Sequence, residues 1–150
     1  MVWWLLAGML AGVLADRACT HKVLTKKNDD MEKTKANLLI LEEWLAMHRR
    51  GRRVADALNE KGIRNVAIYG MGILGSHLYQ ELNVSGISVK YIMDRRLVKG
   101  VYSAEVCGPE AKVENVDAVI VTPVYQFEEI ERNIHQVNDV QVISLRELLD

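Results

Sequence analysis

The sequence feature that most restricts the fold is a glycine-rich turn, Gly70-Met71-Gly72-Ile73-Leu74-Gly75. Directly before it lies the apolar run Val66–Tyr69, which is typical of a strand buried on both faces of a parallel sheet. Leu74, Leu78 and Leu82 follow at helical spacing, as expected of a helix that packs on such a sheet. The sequence therefore predicts a strand, a tight turn and a helix in immediate succession.

A second predicted strand, Ile87–Met93, is followed by Asp94, which lies 19 positions after Gly75. In a dinucleotide-binding unit of this layout, Gly70 permits the tight turn, and Gly72 lets the backbone approach a pyrophosphate. Gly75 allows the helix to pack closely on the first strand. The start of the helix attracts phosphate, and Asp94 can accept hydrogen bonds from a ribose diol. The alternative is a fold that kept the turn and binds nothing.

The predicted binding residues lie in the glycine loop or where strands end at the same edge of the sheet. They are Gly70, Met71, Gly72, Ile73, Leu74, Gly75, Asp94, Arg95, Thr122 and Pro123. Asp94 would repel a 2′-phosphate, whereas Arg95 and Arg96 could bind one. The predicted cofactor is therefore NAD, with NADP or another nucleotide left open. No catalytic residue and no metal site is predicted.

The remaining apolar runs predict further strands at residues 117–122 and 140–143, with a short one around 101–106. A helix between the two clear strands is marked by Phe127, Ile130, Ile134 and Val137. Ser144 with Glu147 predicts a capping box for a terminal helix. With right-handed crossovers these elements form a small α/β domain over residues 62–150, a Rossmann-like parallel sheet in order 3-2-1-4-5.

Residues 20–61 are predicted to form a helical connector. Asn28 or Asp29 can cap a helix that runs to about Arg50, and Gly51 interrupts it. A second helix ends at Lys61-Gly62, with glycine in its usual place after a helix. The apolar stripe of the first helix comprises Leu38, Ile40, Leu41, Trp44, Leu45 and Met47. It suits packing on the domain or on a second copy, and both alternatives stay open.

Residues 1–19 are predicted to anchor the chain in a membrane. The first fifteen carry no charged side chain, Trp3 and Trp4 suit an interface, and basic residues follow downstream. Those basic residues place the rest of the chain on the cytoplasmic side. A helix of fifteen residues spans roughly 22 Å, which is short for the hydrocarbon core. A cleaved signal peptide and a buried or groove-bound helix are therefore the alternatives.

Composition narrows the range of partners. The net charge of −1 provides no general attraction for nucleic acid, so none is expected as a partner. Cys19 and Cys107 lie 88 positions apart, which is typical of neither a disulfide framework nor a zinc site.

Several stretches together resemble small NAD(P)- or CoA-binding-type Rossmann proteins linked to bacterial polysaccharide and nucleotide-sugar biosynthesis. They are Glu43–Leu45, Val54-Ala55, Ile68–Gly75, Tyr91–Asp94 and Val119–Pro123, and the likeness covers roughly residues 40–150. Some proteins of this group carry a similar amino-terminal membrane segment. The resemblance is specific for the fold and carries over no defined chemistry. The predicted function is an accessory or regulatory module that binds a nucleotide or nucleotide sugar, with a partner enzyme or a second copy. The resemblance implies no catalytic residue.

An enzyme is the alternative function. The Tyr-x-x-x-Lys pair of short-chain dehydrogenases and epimerases is absent, and so are a Walker Gly-Lys-Ser/Thr and a Gly-x-Ser-x-Gly elbow. An NAD(P)-dependent oxidoreductase or epimerase-like enzyme would therefore need a dimer or a partner to complete its active site.

Overall fold

The computed structural model describes the backbone of residues 2–96, 100 and 102–150, and the side chains of these from residue 25 onward. The chain forms two compact units, Met1–Ala36 and Asn37–Asp150. The helices are α1 (Val2–Arg49), α2 (Val54–Glu60), α3 (Ile73–Asn83) and α4 (Phe127–His135). The strands are β1 (Asn65–Tyr69), β2 (Ser88–Met93), β3 (Glu105–Cys107), β4 (Ala118–Val121) and β5 (Gln141–Ser144). Short 3₁₀ turns lie at Val124–Gln126 and Leu145–Leu148.

The five strands form one parallel sheet in the order β3-β2-β1-β4-β5, which confirms the predicted topology. Tyr69 at the end of β1 pairs with Met93 of β2 and with Val121 of β4. The carboxyl ends of the three central strands therefore lie level with one another. From β1 the chain continues to β2 on one side of β1, and later it returns to β4 on the other side. Open α/β sheets bind ligands at the edge where the strand order reverses in this way.

The sheet is buried on both faces. All four residues of β4 are buried, as expected of a central parallel strand. Leu74, Leu78 and Leu82 of α3 belong to the core on one face, which confirms the predicted stripe. Ile130 and Ile134 of α4 belong to the core on the other face. Val137, assigned to the same stripe from the sequence, follows the end of α4 and is exposed.

Helix α1 is continuous, so the predicted helix start at Asn28 or Asp29 is wrong. A capping residue favours a helix start only where the preceding turn is not helical. Here the residues before Asn28 are helical too, and the two polar side chains are exposed on the surface of the helix. The predicted anchor at residues 1–19 lies outside the residues whose side chains are described. A search confined to the described residues finds no helix long and apolar enough to cross a membrane.

The sequence predicted that glycines end the first helix and α2, and the structure confirms this. Gly51, with φ of +74°, follows the end of α1, and Gly62, with φ of +75°, follows the end of α2. Glycine adopts this left-handed conformation without steric cost. Ile40, Trp44 and Met47 of α1 are buried, and the compact unit that contains the sheet begins inside α1, at Asn37.

Two expectations about short elements need correction. Ser144 makes no side-chain cap, so the predicted capping box is wrong, and a 3₁₀ turn takes the place of the terminal helix. Leu145 and Leu148 of this turn are buried, so packing of apolar side chains holds it without a cap. Strand β3 begins at Glu105, later than the predicted strand around 101–106, and Val101 lies outside the described residues.

Asp117 connects the starts of two neighbouring strands. Its Oδ2 accepts hydrogen bonds from the backbone N of Arg64 at 2.9 Å and of Asn65 at 2.7 Å. These bonds favour the charged carboxylate and lower the pKa of Asp117 below its ordinary value of 3.8. The stabilising contribution is thus complete above about pH 4 and is lost as the pH falls through the lowered pKa of the folded state.

We expect Asp117→Asn to unfold at a lower temperature than the wild type at pH 6, because the amide replaces a charged acceptor of two backbone bonds. The difference in melting temperature should shrink as the pH falls below about 4, because the unfolded wild type then binds a proton that the folded carboxylate binds only at a lower pH. Thermal unfolding followed by circular dichroism from pH 6 to pH 2 measures it. The control is Asp139→Asn, at another exposed carboxylate. A difference that stays constant with pH would contradict the prediction.

Candidate functional site

The glycine loop between β1 and α3 requires glycine at its first position. Gly70 has φ of +86°, a conformation that residues with a side chain rarely adopt. A Cβ on Gly70 would lie 2.8 Å from Cδ of Pro123 and 3.0 Å from Oγ1 of Thr122. The loop therefore passes so close to the end of β4 that only glycine fits.

The other two glycines of the loop have different roles. A Cβ on Gly75 would overlap the carbonyl oxygen of Gly70, so glycine lets the first turn of α3 pack directly against the loop. Gly72 has ordinary backbone angles, φ of −72° and ψ of −158°, and a Cβ there would meet nothing within 4 Å. Gly72 is thus not required by the packing of the fold, and its missing side chain leaves open space beside the loop.

Asp94 holds the loop from the β2 side. Its Oδ2 accepts a hydrogen bond from the backbone N of Met71 at 2.8 Å, and its Oδ1 accepts one from the backbone N of Arg96 at 2.9 Å. The sequence predicted a ribose contact for Asp94 and did not predict this contact with the loop. A carboxylate oxygen can accept more than one hydrogen bond, so both oxygens keep capacity for a ligand.

Thr122 holds the loop from the β4 side. Its hydroxyl donates to the carbonyl oxygen of Gly70 at 2.7 Å, and its backbone N donates to that of Tyr69 at 3.1 Å. Thr122 is only 4% exposed, so it contacts the loop from the buried side. Side chains from both neighbouring strands thus fix the position of the loop backbone before any ligand binds.

A cavity of about 430 Å³ opens above this loop, at the carboxyl ends of the central strands. Of the ten binding residues predicted from the sequence, all except Gly75 line it. The lining residues that the binding prediction did not include are Asn37, Tyr69, Met93, Arg96, Pro109, Tyr125 and Gln126. Arg96 is the second of the two arginines that, by the sequence analysis, could bind a 2′-phosphate, and Tyr125 lies two positions after Pro123. No sequence signal connects Asn37, a residue of α1, with the glycine loop.

The start of α3 gives the cavity a positive character. The first backbone N–H groups of a helix have no partner within it, and Gly72 provides no side-chain cap for them. These groups and the helix dipole favour an anion. Arg95 and Arg96 add two exposed cations at the rim, and the ion pair of Arg95 with Glu110, at 3.5 Å, is too exposed to hold the arginine firmly.

Tyr69 supplies an aromatic wall and a hydroxyl. Burial raises the pKa of its phenol above the ordinary value of 10.0; Arg95 opposes this effect, and the carboxylates of Asp94, Glu110 and Glu129 add to it. The phenol is therefore neutral at physiological pH and can donate a hydrogen bond to an acceptor in the cavity.

Comparison of the chain with protein-family models, with curated proteins and with solved structures finds no match.

Proposed function

We propose that this chain binds a nucleotide, either a dinucleotide or a nucleotide sugar, in the cavity above the glycine loop. We propose further that it serves as an accessory or regulatory module of envelope polysaccharide or nucleotide-sugar metabolism, tethered to a membrane by residues 1–19. One observation carries the binding proposal: the uncapped start of α3 opens into a cavity of about 430 Å³, beside a glycine that packing does not require.

The chemistry of the cavity lining suits the parts of a nucleotide. The free N–H groups at the start of α3 suit a phosphate, and the open space at Gly72 lets a phosphate approach the backbone. The exposed Arg95 and Arg96 suit a second charged group. The remaining acceptor capacity of Asp94 suits ribose hydroxyls, and Tyr69 and Tyr125 provide aromatic surface for a base or a sugar.

Calorimetric titration with NAD, NADP and UDP-glucose tests this proposal. We expect saturable binding of at least one of them, at one site per chain. Each compound carries the diphosphate that the start of α3 would bind, and they differ in what is attached to it. Inorganic phosphate serves as a control for a simple anion site. If none of the three nucleotides binds, or if phosphate binds as tightly as the best of them, the proposal is wrong.

We expect NAD to bind more tightly than NADP, because the carboxylate of Asp94 at the end of β2 would repel a 2′-phosphate. Asp94→Asn removes the charge but keeps a carbonyl oxygen that can accept the hydrogen bond from Met71 N. The NAD/NADP preference should fall by roughly tenfold in this variant, since a hydrogen bond to a charged group contributes about 1.5–3 kcal/mol. Dissociation constants for both compounds at one salt concentration measure it. Tighter NADP binding by the wild type would show that the two arginines decide the preference.

The membrane tether has a separate test. We expect the full chain to sediment with membranes and to stay in the pellet after high-salt and carbonate washes, because residues 1–15 carry no charged side chain. Those washes remove proteins held at the surface by charge. Release of the intact chain would contradict an integral anchor, and a mature chain that starts near Asp16 would indicate a cleaved signal peptide.

A further inference from the structure

Helix α1 contributes one residue, Asn37, to the lining of the cavity above the glycine loop. Asn37 lines the cavity together with Ile73 and Leu74 at the start of α3. Its side chain is partly exposed, and within the part of the chain that the structure describes it has no hydrogen-bond partner. An amide group both donates and accepts hydrogen bonds. The Asn37 amide is therefore available to a ligand in the cavity.

The contacts of α3 show on which side of this helix α1 lies. The hydroxyl of Tyr79 is 2.6 Å from Oγ of Ser103, which comes just before β3. Glu81 accepts a hydrogen bond from Trp44 Nε1 of α1 at 2.9 Å. Positions 79 and 81 point in directions roughly 200° apart around a helix. The segment before β3 and α1 therefore lie on opposite sides of α3.

Asn37 reaches the cavity from the side of β4 and β5. It lies seven residues before Trp44, which is about two turns and places both residues on the same side of α1. Further along α1, Glu43 Oε1 accepts a hydrogen bond at 3.0 Å from Arg146, which follows β5. Helix α1 thus lies beside α3 in the direction of β5. Asp94, at the end of β2, lies on the other side of the start of α3.

The two sides of the cavity differ in charge. Among the described residues of the lining, the charged ones all follow β2; they are Asp94, Arg95 and Arg96. The lining on the β4 side is uncharged and consists of Asn37, Thr122, Pro123, Tyr125 and Gln126. Two of these residues, Asn37 and Gln126, carry amide groups, which match hydroxyl groups because both donate and accept hydrogen bonds. The β4 side therefore suits an uncharged group that carries hydroxyls.

We propose that Asn37 forms a hydrogen bond with a hydroxyl of the sugar attached to the second phosphate of the bound nucleotide. This role rests on the proposed function, in which the diphosphate lies at the start of α3 and the ribose of the nucleoside contacts Asp94. A ligand bound in that direction places the group beyond its second phosphate on the β4 side. That sugar is the hexose of a nucleotide sugar or the second ribose of a dinucleotide, and both offer hydroxyls to Asn37. Helix α1 thus helps to distinguish such ligands from a plain nucleoside diphosphate.

Calorimetric titration of the full chain with two pairs of ligands tests this role. The pairs are UDP with UDP-glucose and ADP with NAD; only the second member of each pair carries a sugar on its second phosphate. Asn37→Ala should weaken the binding of UDP-glucose or NAD, whichever the wild type binds, by roughly fivefold, as expected for the loss of one neutral hydrogen bond. The affinity for UDP or ADP should stay unchanged. The two pairs also show whether the sugar is a hexose or a second ribose.

Two further variants serve as controls. Asn133→Ala replaces another exposed helical asparagine, which belongs to α4 and does not line the cavity, and it should bind all four ligands like the wild type. Asp94→Asn should weaken both members of a pair by the same factor, because Asp94 contacts the ribose that the two members share. A selective effect of Asp94→Asn on the sugar-bearing member would show that the ligand lies in the opposite direction and would overturn the proposed role of Asn37.

The titrations separate failure of this role from failure of the proposed function. If Asn37→Ala weakens both members of a pair equally, Asn37 acts on the cavity in general and not on the sugar. If it weakens neither, Asn37 makes no contact with the ligand. Either result overturns the role of Asn37 and leaves the proposed function standing, because the wild type still binds the nucleotide. If the wild type binds none of the four ligands, the proposed function is itself wrong, and the role of Asn37 is wrong with it.

Discussion

Replacement of Glu81 by alanine should lower the free energy of unfolding by roughly 2–4 kcal/mol, because it leaves two buried N–H donors without an acceptor. Glu81 of α3 is only 8% exposed. Its Oε1 accepts from the backbone N of Val54 at 2.7 Å, and its Oε2 accepts from Trp44 Nε1 at 2.9 Å. Oε2 also lies 2.7 Å from Nε2 of His48.

These contacts place one carboxyl group between three helices. Val54 begins α2, so Glu81 satisfies the first free N–H of that helix from outside it. Trp44 and His48 belong to the last two turns of α1. The N–H groups of Trp44 and Val54 are buried and cannot donate to water instead. The His48 side chain is 38% exposed, so it can form hydrogen bonds with water. The loss should therefore come mainly from the two buried donors.

Urea unfolding of the wild type, Glu81→Ala and Glu81→Gln measures this effect. The glutamine side chain keeps one carbonyl acceptor, but its amide group places a donor next to other donors. Glu81→Gln should therefore lower the free energy of unfolding by less than Glu81→Ala does. Glu42→Ala, at an exposed position of α1, is the matched control and should stay within about 0.5 kcal/mol of the wild type. If Glu81→Ala is as stable as this control, the buried carboxyl group contributes no net stability, as happens for some buried charges.

The second large effect is expected on ligand binding. Gly72→Val should abolish the binding of whichever nucleotide the wild type takes, because the side chain would fill the open space beside the loop where a phosphate must approach the backbone. The fold should tolerate the change. Gly72 has φ of −72°, and a Cβ there would meet no atom within 4 Å, so stability should change by no more than about 1 kcal/mol.

Calorimetry and thermal unfolding of the same preparations separate these two effects. Gly108→Val is the control, because a Cβ on Gly108 also meets no atom within 4 Å, yet Gly108 does not line the cavity. We expect the control to bind like the wild type. Unchanged affinity for Gly72→Val would place the ligand elsewhere, and a large loss of stability would leave misfolding as the explanation for any loss of binding.

The sequence by itself determined the order of the elements and the sheet. Alternation of apolar runs with helical stripes, and the handedness of crossovers, were sufficient for the order 3-2-1-4-5. Gly70 and Gly75 could be assigned their structural roles because a tight turn into a close-packed helix requires them locally. The position of the cavity followed from the same information, since the carboxyl ends of parallel strands share one edge.

Only the tertiary structure decided which partners the polar side chains take. Asp94 contacts Met71 across 23 residues, and Glu81 contacts Trp44 across 37. In the sequence Glu81 is one more charged residue in an amphipathic helix, and Asn37 has no link to the glycine loop. Apolar periodicity is a local property that a short stretch reveals. A hydrogen bond between distant residues depends on atomic distances that exist only after the elements have packed.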